Sequence, residues 1–414
     1  MSHAFNGASH TIRPARRAPT LLALAAVIVA GGAILPATSS AARAHTGAIT
    51  ITSRPFGSTG PTSPTPGTPT RLYTLSNGRM RVRITNFGGI IQSIDVPDRA
   101  GRLADVALGF RHLQGYEAND VFPQPSGGSG STYFGATIGR YANRIANGTF
   151  TLAGQTYHIP INNGKNALHG GPIGWNQRVW TPVVTRRPGQ VSVALTYVSP
   201  DGEEGFPGTV TATVSFTLAR ANALTIHYHA TTDKPTVINL TNHSYFNLAG
   251  QASGSILAQR LMINSSRYTP TNANQIPTGA IAPVAGTPLD FRHMKPIGRD
   301  LTAPFPQLLL AHGYDHNWIL NGHGLRLAAR AMDPISGRTL TTYTTEPGVQ
   351  VYTSNYLAGE LVGTSGRTYR QSAGFTLETQ HYPDSPNQPS FPSTTLNPGT
   401  PLDSTTVFSF GVAR

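Results

Sequence analysis

Two carboxylates occupy sequence contexts in which they could exchange a proton with a bound ligand. Glu378 lies in the strand-like run GFTLETQH at 374–381, and Asp315 lies in the polar and aromatic run GYDHNW at 313–318. Most of the other carboxylates stand beside Gly or Pro, as turn-forming residues do. Taken alone, each also fits a simpler interpretation, with Glu378 as an exposed strand residue and Asp315 as a loop residue in an Asx turn.

Three further runs combine histidine or arginine with neutral hydrogen-bonding side chains: GRYANRI at 139–145, NALHGG at 166–171 and TNHSYFNL at 241–248. His169 precedes two glycines, where a ligand could approach the backbone closely. His243 stands among hydroxyl and amide side chains, although each histidine by itself also fits a structural role. Together these residues form the inventory of a sugar site. Sugar hydroxyls need Asn, Asp and Arg partners, and a sugar face needs an aromatic platform.

The elements that must position these residues are β-strands. Apolar and polar residues alternate over 209–218, and the alternation resumes after 220–223, which predicts a hairpin. The same pattern recurs at 80–84 and 191–197, whereas helical patterns are limited to short turns at 112–117 and 308–312. Many strands with Gly- and Pro-rich turns predict an all-β fold, a large antiparallel β-sandwich.

Composition excludes several classes of protein. Hydrophobic residues make up 38% of the 414 residues, which suffices for a core but not for a polytopic membrane protein. Charged residues are only 12%, so the chain as a whole does not have the composition of a disordered protein. There is no cysteine, which excludes disulfides, thiolate metal sites and a cysteine nucleophile.

The net charge of +13 raises the question of nucleic-acid binding. The basic residues are spread along the chain and form no run longer than a pair. Such scattered charge favours solubility and does not form a binding stripe. We therefore expect no nucleic-acid partner.

The N-terminal part of the chain predicts export. Three arginines precede an uncharged apolar stretch at 18–35, and small residues follow up to Ala44, so residues 1–44 are interpreted as a secretory signal peptide. An uncleaved membrane anchor is the alternative. Residues 45–70 are rich in Ser, Thr, Pro and Gly and are predicted to be a flexible linker, leaving 71–414 as one folded domain. We expect a secreted protein without stable membrane insertion after cleavage.

Eight motifs in order over 72–412 resemble those of the aldose 1-epimerases, also called galactose mutarotases. The motifs are the stretch 77–98 with NFGG at 86–89, GRYANRI at 139–145, NALHGG at 166–171, TNHSYFNL at 241–248, TPLDFR at 287–292, YDHNW at 314–318, GVQVYTSN at 348–355 and GFTLETQHYPDSPNQ at 374–388. The resemblance implies a galactose-mutarotase-like sandwich that uses neither a metal nor an organic cofactor. The export segment departs from the commoner cytoplasmic members.

The activity that the resemblance implies is the interconversion of α and β anomers of free aldoses of the glucose or galactose type. A base removes the O1 proton, an acid protonates the ring oxygen O5, and the open aldehyde recloses on its other face. By resemblance, Glu378 is the base and His243 the acid. The resemblance also assigns substrate binding to a further set: Asn143, Arg144, His169, Asp315 and Gln350.

Three alternatives remain open at the level of sequence. A glycosidase would use Glu378 and Asp315 as its carboxylate pair. A tethered, non-catalytic carbohydrate-binding module would bind sugar without needing the glutamate. A hexose-6-phosphate epimerase would need an arginine cluster for the phosphate, and the sequence does not reveal one. The preferred sugar and the oligomeric state do not follow from the sequence.

Overall fold

The computed structural model describes residues 48–119 and 132–413. Strands make up 46% of these described residues and helices 8%, so the predicted all-β class is confirmed. The secretory signal predicted at 1–44 lies outside the described residues. In the part of the chain that is described, none of the helices has the length and hydropathy needed to cross a bilayer.

The described chain begins with a five-stranded antiparallel meander. Its strands are Thr50–Ser58 (β1), Pro69–Ser76 (β2), Arg81–Thr85 (β3), Ile90–Pro97 (β4) and Leu103–Asp105 (β5), hydrogen-bonded in that order. Val82 on β3 and Ile94 on β4 are a directly paired couple with no solvent exposure. Their side chains fix one face of this sheet against the core.

The flexible linker predicted at 45–70 is wrong where it overlaps β1. That strand pairs with β2 from Thr50 opposite Ser76 to Ser58 opposite Pro69, with a bulge next to Gly57. Only Ile51 and Phe56 of β1 are buried, so the apolar signal in the sequence is weak. An edge strand of this kind needs few apolar side chains, because its backbone groups are satisfied by the neighbouring strand.

Short elements follow the meander. They are Leu113–Asn119 (α1), Thr137–Ile138 (β6), Arg144–Ile145 (β7), Thr149–Leu152 (β8), Gln155–His158 (β9) and Ala167–Leu168 (β10). The β7–β10 and β8–β9 pairs are antiparallel. The predicted helical turn at 112–117 thus overlaps α1, and the short paired strands hold the ends of the loops between them.

The remaining strands build two larger sheets and their connections. In the first half of this region they are Thr181–Arg187 (β11), Gln190–Ser199 (β12), Val210–Ala219 (β13), Ala223–Thr232 (β14), Thr236–Val237 (β15), Thr241–Asn242 (β16), Tyr245–Phe246 (β17), Arg260–Ile263 (β18), Ser265–Thr269 (β19), Ala282–Pro283 (β20) and Lys295–Pro296 (β21). After the helix Pro306–Ala311 (α2) come Asp315–Leu320 (β22), Arg326–Met332 (β23), Arg338–Thr344 (β24), Gly348–Tyr352 (β25), Ala358–Val362 (β26), Thr368–Arg370 (β27), Phe375–Thr376 (β28), Glu378–Gln380 (β29), Thr395–Leu396 (β30) and Leu402–Val412 (β31). Short 3₁₀ turns span Ala146–Gly148, Trp175–Gln177, Glu203–Gly205, Ile297–Asp300 and Ser385–Asn387.

The largest sheet has nine strands in the order β11-β12-β13-β14-β31-β24-β23-β18-β21. The predicted hairpin is confirmed as β13 and β14, and the apolar residues of β13 from Val210 to Leu218 are all buried on one face. The last strand of the chain, β31, lies in the middle of this sheet and pairs with β14 on one side and β24 on the other. The buried face of this sheet contributes to the main hydrophobic core.

A second five-stranded sheet has the order β20-β19-β22-β25-β29. Residues of all three large sheets contribute to one hydrophobic cluster, in which Val82, Val214 and Trp318 are fully buried. The sheets therefore share one core. The strands β22, β25 and β29 are adjacent, and they carry the carboxylates singled out in the sequence.

Candidate active site

The predicted site residues converge on one cavity of about 630 Å³. Six of the seven line it: Asn143, Arg144, His169, His243, Asp315 and Glu378. The seventh, Gln350, stands behind Asp315 and donates a hydrogen bond from Nε2 to Asp315 Oδ1 at 2.7 Å. Residues separated by more than two hundred positions in the sequence are thus brought into one pocket.

Three neighbouring strands fix the positions of the acidic groups. Asp315 is the first residue of β22, Gln350 lies on β25, and Glu378 is the first residue of β29. In the register of the sheet, Gln350 is directly opposite Glu378 and Asp315 is opposite Tyr352. Glu378 is therefore not an exposed strand residue, and Asp315 is not a loop aspartate. Both simpler interpretations of these residues are wrong.

Glu378 and His243 form a buried pair of titratable side chains. His243 Nε2 lies 3.5 Å from Glu378 Oε1, and their side chains are 6% and 2% exposed. The hydroxyl of Thr376 donates to Glu378 Oε1 at 2.8 Å and holds the carboxyl group in place. His243 reaches the pair from the segment after β16, whose backbone is tied to Ala136 by the hydrogen bond from the His243 N–H.

Removal of water disfavours the charged form of both groups. Burial, reinforced by the nearby charge of Asp315, raises the pKa of Glu378 to about 8. Burial lowers the pKa of His243 to about 3. Both shifts favour the neutral form of each group, so in the ligand-free pair a single proton is favoured on Glu378 over His243. A pair with one transferable proton and one free acceptor is what ring opening of a hemiacetal requires.

His169 is held beside His243 by its backbone and ring. Its Nδ1 accepts a hydrogen bond from the Asn143 N–H at 3.1 Å, and its ring centroid lies 5.0 Å from that of His243. Burial, followed by the charges of His243 and Arg144, lowers the pKa of His169. His169 is thus a neutral imidazole whose Nε2 remains for a hydrogen bond to a ligand.

The two glycines after His169 are packed closely against other parts of the chain. A Cβ at Gly170 would lie 2.2 Å from the carbonyl oxygen of Gly139, and a Cβ at Gly171 would lie 2.5 Å from Glu204 Oε2. Gly170 also adopts a φ of 90°, which favours glycine. These glycines permit close packing of protein against protein, and the close approach of a ligand to their backbone stays a prediction.

Arg144 and Asp315 provide the charged part of the cavity. Arg144 Nη1 lies 3.9 Å from Asp315 Oδ2, while Arg144 Nε donates to Asn163 Oδ1 at 3.0 Å and Nη2 donates to Gln275 Oε1. Burial raises the pKa of Asp315, and the charge of Arg144 opposes that shift. A donor and an acceptor side by side in this way match neighbouring hydroxyls of a sugar ring.

Several lining residues escaped the sequence analysis. Tyr133, Tyr245, Tyr352 and Tyr356 line the cavity, as does Gln275. Tyr245 follows His243 by two positions within the TNHSYFNL run, a signal that could have found it. The others lie in loops or at strand ends, where no periodic pattern reveals the direction of a side chain.

Three side chains of the cavity could also act as ligands of a metal ion. One atom each from His169, His243 and Glu378 lies within 4.8 Å of the other two. Neutral imidazole and carboxylate are suitable ligands for a divalent transition metal. The same three groups serve proton transfer without a metal, so the expectation that the protein uses none stays a prediction.

Comparison with known proteins identifies the family to which this site belongs. The family model described as "Aldose 1-epimerase" matches residues 71–409. The chain belongs to the aldose 1-epimerase family.

Relatives of this aldose 1-epimerase are named for the same activity. It is 44% identical to human galactose mutarotase over 351 residues, which cover 84% of this chain and 96% of that protein. It is 37% identical to the aldose 1-epimerase of Escherichia coli K12 over 349 residues, which cover 83% of this chain and 96% of that protein. The prediction of an isomerase that interconverts the anomers of aldoses is thus confirmed.

Solved structures confirm the fold of this epimerase. The galactose 1-epimerase of Lactobacillus acidophilus superposes with a TM-score of 0.76 at 25% identity, covering 89% of this chain and all of that one. A GalM/aldose epimerase homologue from C. elegans gives a TM-score of 0.72 at 28% identity, covering 81% of this chain and 97% of that one. The predicted galactose-mutarotase-like sandwich is confirmed.

Proposed function

We propose that this enzyme interconverts the α and β anomers of free galactose and glucose, with Glu378 and His243 as its acid–base pair. The observation that carries the proposal is the contact of 3.5 Å between His243 Nε2 and Glu378 Oε1 in the cavity. The names of the galactose mutarotases among its relatives support galactose as a substrate.

The reaction conserves protons. Glu378 takes the proton from O1, the C1–O5 bond breaks, and His243 gives a proton to O5, which leaves the open aldehyde. After rotation about C1–C2 the same transfers run in reverse and close the ring on the other face of C1. No group leaves the sugar, so no covalent intermediate with the protein is needed. A positioned general acid or base typically increases the rate of such a reaction roughly 10²–10⁴-fold.

These roles require the single proton of the pair to lie on His243 when O1 is deprotonated. In the ligand-free protein it lies on Glu378, because burial raises the pKa of the glutamate and lowers that of the histidine. A bound sugar reverses this preference. An O1–H that donates to Glu378 stabilises the carboxylate, and an O5 that accepts from His243 Nε2–H stabilises the imidazolium.

The remaining polar groups orient the ring. Arg144 and Asp315 bind hydroxyls away from the reacting carbon, and Gln350 holds Asp315 through its hydrogen bond of 2.7 Å. Asn143 fixes His169 through its backbone N–H, and His169 Nε2 donates to the sugar near the reacting centre. Fixed hydrogen-bonding groups in a buried site keep the sugar close to the geometry of the reaction.

Polarimetry of freshly dissolved α-D-galactose and α-D-glucose tests this function. The purified protein is expected to accelerate the approach to the same final rotation, and Glu378→Gln and His243→Asn are expected to lose the acceleration. Asp403→Asn is the matched control, since this carboxylate lies on β31 and is 61% exposed in its side chain. Sugar binding without acceleration would instead support a binding module, and newly formed reducing ends would support a glycosidase.

We also propose that residues 1–44 direct export and that the mature protein acts outside the cytoplasm. The proposal is supported by the arginines before the apolar stretch at 18–35 and by the small residues up to Ala44. Mass spectrometry of the protein from the culture medium of an expressing bacterium is expected to give an N-terminus at His45. Recovery of the intact chain in the membrane fraction would contradict it.

A further inference from the structure

The two carboxyl oxygens of Glu378 have different surroundings. Oε1 accepts a hydrogen bond from the Thr376 hydroxyl at 2.8 Å and lies 3.5 Å from His243 Nε2. Oε2 is buried, and among the described residues it has no hydrogen-bond partner. Buried polar atoms are normally hydrogen-bonded, and Glu378 lines the cavity. Oε2 is therefore the oxygen left for a group of the bound sugar.

The Thr376 hydroxyl is committed to one direction. Its Oγ1 accepts a hydrogen bond from the backbone N–H of Tyr352 at 3.2 Å. A hydroxyl has a single hydrogen to donate, and among the described residues Glu378 Oε1 is the acceptor that this hydrogen reaches. The N–H of Tyr352 thus fixes the hydroxyl as an acceptor on one side, so that it acts as a donor on the side of Glu378.

Thr376 is itself held firmly by the fold. It is the last residue of β28, is fully buried, and stands directly opposite Tyr245 on β17. The branched Cβ of threonine restricts the rotation of its side chain. Glu378 follows two positions later as the first residue of β29, where it pairs with Gln350 on β25. The hydroxyl and the carboxyl group are therefore fixed by different strands, and the hydrogen bond between them sets the orientation of the carboxyl group.

The same hydrogen bond changes the proton affinity of the carboxyl group. A donor stabilises the carboxylate, so the Thr376 hydroxyl lowers the pKa of Glu378 and opposes the larger rise that burial causes. Asp315 adds to the rise, and Arg144 opposes it. The titratable and charged groups that face Glu378 from the neighbouring elements are Arg144, His169, His243, Tyr245 and Asp315.

We propose that Thr376 is a positioning residue of the epimerase: its hydroxyl keeps Glu378 Oε1 as an acceptor, so that Oε2 is the oxygen that exchanges a proton with O1 of the sugar. The inference rests on the proposed function, because it assumes that Glu378 is the base. Oε2 takes the proton of O1 while the C1–O5 bond breaks and His243 gives a proton to O5, and it returns the proton to O1 when the ring closes. Thr376 keeps its own proton throughout.

The pH dependence of kcat/KM tests the proposal with the full-length protein. Polarimetry of fresh α-D-galactose is followed from pH 6 to 10, with the uncatalysed rate subtracted. Thr376→Val removes the hydroxyl with little change of shape, so the pKa of Glu378 rises and the fall of kcat/KM moves up from about pH 8 by about one pH unit or more. At pH 9 the wild type is expected to lie about tenfold below its plateau, and the variant about twofold below its own. The plateau itself is expected to be about tenfold lower in the variant, because Oε2 is less well placed.

Three further variants separate the hydroxyl from the packing around it. Thr376→Ser keeps the hydroxyl and is expected to keep both the plateau and the position of the fall within about twofold of the wild type. Thr376→Ala lacks the hydroxyl and adds no volume, so it is expected to shift the fall in the same direction as Thr376→Val. Thr379→Val is the matched control. Thr379 is a buried neighbour of Glu378 on β29 whose hydroxyl contacts Thr406, and its replacement is expected to leave the fall at about pH 8.

The outcomes distinguish this inference from the proposed function. An active wild type whose fall of kcat/KM stays at the same pH in Thr376→Val and Thr376→Ala would overturn the role of Thr376 and leave the proposed function intact. An equal shift in Thr376→Ser would assign the effect to packing and would also overturn it. A wild type that accelerates no epimerisation would overturn the proposed function and this inference with it. Urea unfolding of each variant establishes that it is folded, and Thr376→Ala decides the question if Thr376→Val does not fold.

Discussion

Replacing Glu378 by Gln is expected to make the protein more stable and inactive. The carboxyl group is 2% exposed, and its burial raises the pKa from the usual 4.5 to about 8. The folded chain therefore keeps a proton that the unfolded chain releases above pH 4.5, and the free energy of unfolding falls as the pH rises from 4.5 to 8. Glutamine cannot ionise in either state, so the variant escapes this loss.

The size of the gain follows from the pKa. At pH 7 the unfolded carboxyl group is two and a half pH units above its own pKa, and each unit is worth about 1.4 kcal/mol. We therefore expect Glu378→Gln to raise the free energy of unfolding by about 3 kcal/mol at pH 7 and by almost nothing at pH 4.5. The hydrogen bond from Thr376 is retained, because the amide oxygen also accepts.

Urea unfolding at several pH values between 4.5 and 8 measures the difference. Glu360→Gln on β26 is the matched control, since this glutamate is exposed and its replacement is expected to change stability by less than about 0.5 kcal/mol. The rate of epimerisation of Glu378→Gln is expected to fall roughly 10²–10⁴-fold. If the variant were no more stable than the wild type at pH 7, the inference that burial holds Glu378 protonated would be refuted.

Four further predictions concern the pair, the sugar contacts, metal and the first strand. The pair of Glu378 and His243 must hold one proton for the reaction. We therefore expect kcat/KM, measured from pH 6 to 10, to be level up to about pH 8 and to fall above it as Glu378 loses its proton. A rise of kcat/KM above pH 8 would contradict this expectation. Asp315→Asn is expected to raise KM at least about tenfold with a smaller change in kcat, because it removes a charged partner of sugar hydroxyls. Initial rates over a range of galactose concentrations measure KM. An unchanged KM would exclude a contact between Asp315 and the sugar. Prolonged treatment with EDTA is expected to leave the rate unchanged, and loss of activity that Zn²⁺ restores would assign a metal to His243 and its neighbours. Phe56→Ala is expected to lower the free energy of unfolding, measured with urea, by about 3 kcal/mol. The control Arg54→Ala, at an exposed position of the same strand, is expected to lower it by less than about 0.5 kcal/mol. Equal effects would show that β1 does not pack on the core.

Sequence analysis singled out residues that line one cavity, but it did not predict the arrangement around them. The candidate reactive residues are Glu378, His243 and Asp315, and each lies in a short polar run that interrupts an apolar pattern. In the structure each run forms the end of a strand or the loop beside a strand. Interruptions of this kind are visible in a sequence because buried polar groups are rare. Burial itself was not visible, since Glu378 reads equally well as a residue on the exposed face of a strand.

The unpredicted parts depend on contacts between distant segments. Tyr356 reaches the cavity because the chain reverses after β25, where Ser354 adopts a φ of 56°. Strand β1 looked like a linker because only Ile51 and Phe56 anchor it, and its hydrogen bonds to β2 leave no trace in its composition. Alternation along a segment predicts a strand, but the partner of an edge strand and the direction of a loop side chain are decided by the tertiary structure.

The central position of β31 has a consequence for how the protein folds. This strand joins β14 to β24, so until it is in place the nine-stranded sheet consists of two parts with open edges facing each other. A chain in which β31 has not yet paired lacks the strand that closes these edges, so it cannot complete the core that the sheet covers. Pairing of β31 is therefore a required step of folding, and loss of the residues Leu402–Val412 would separate two halves of the sheet.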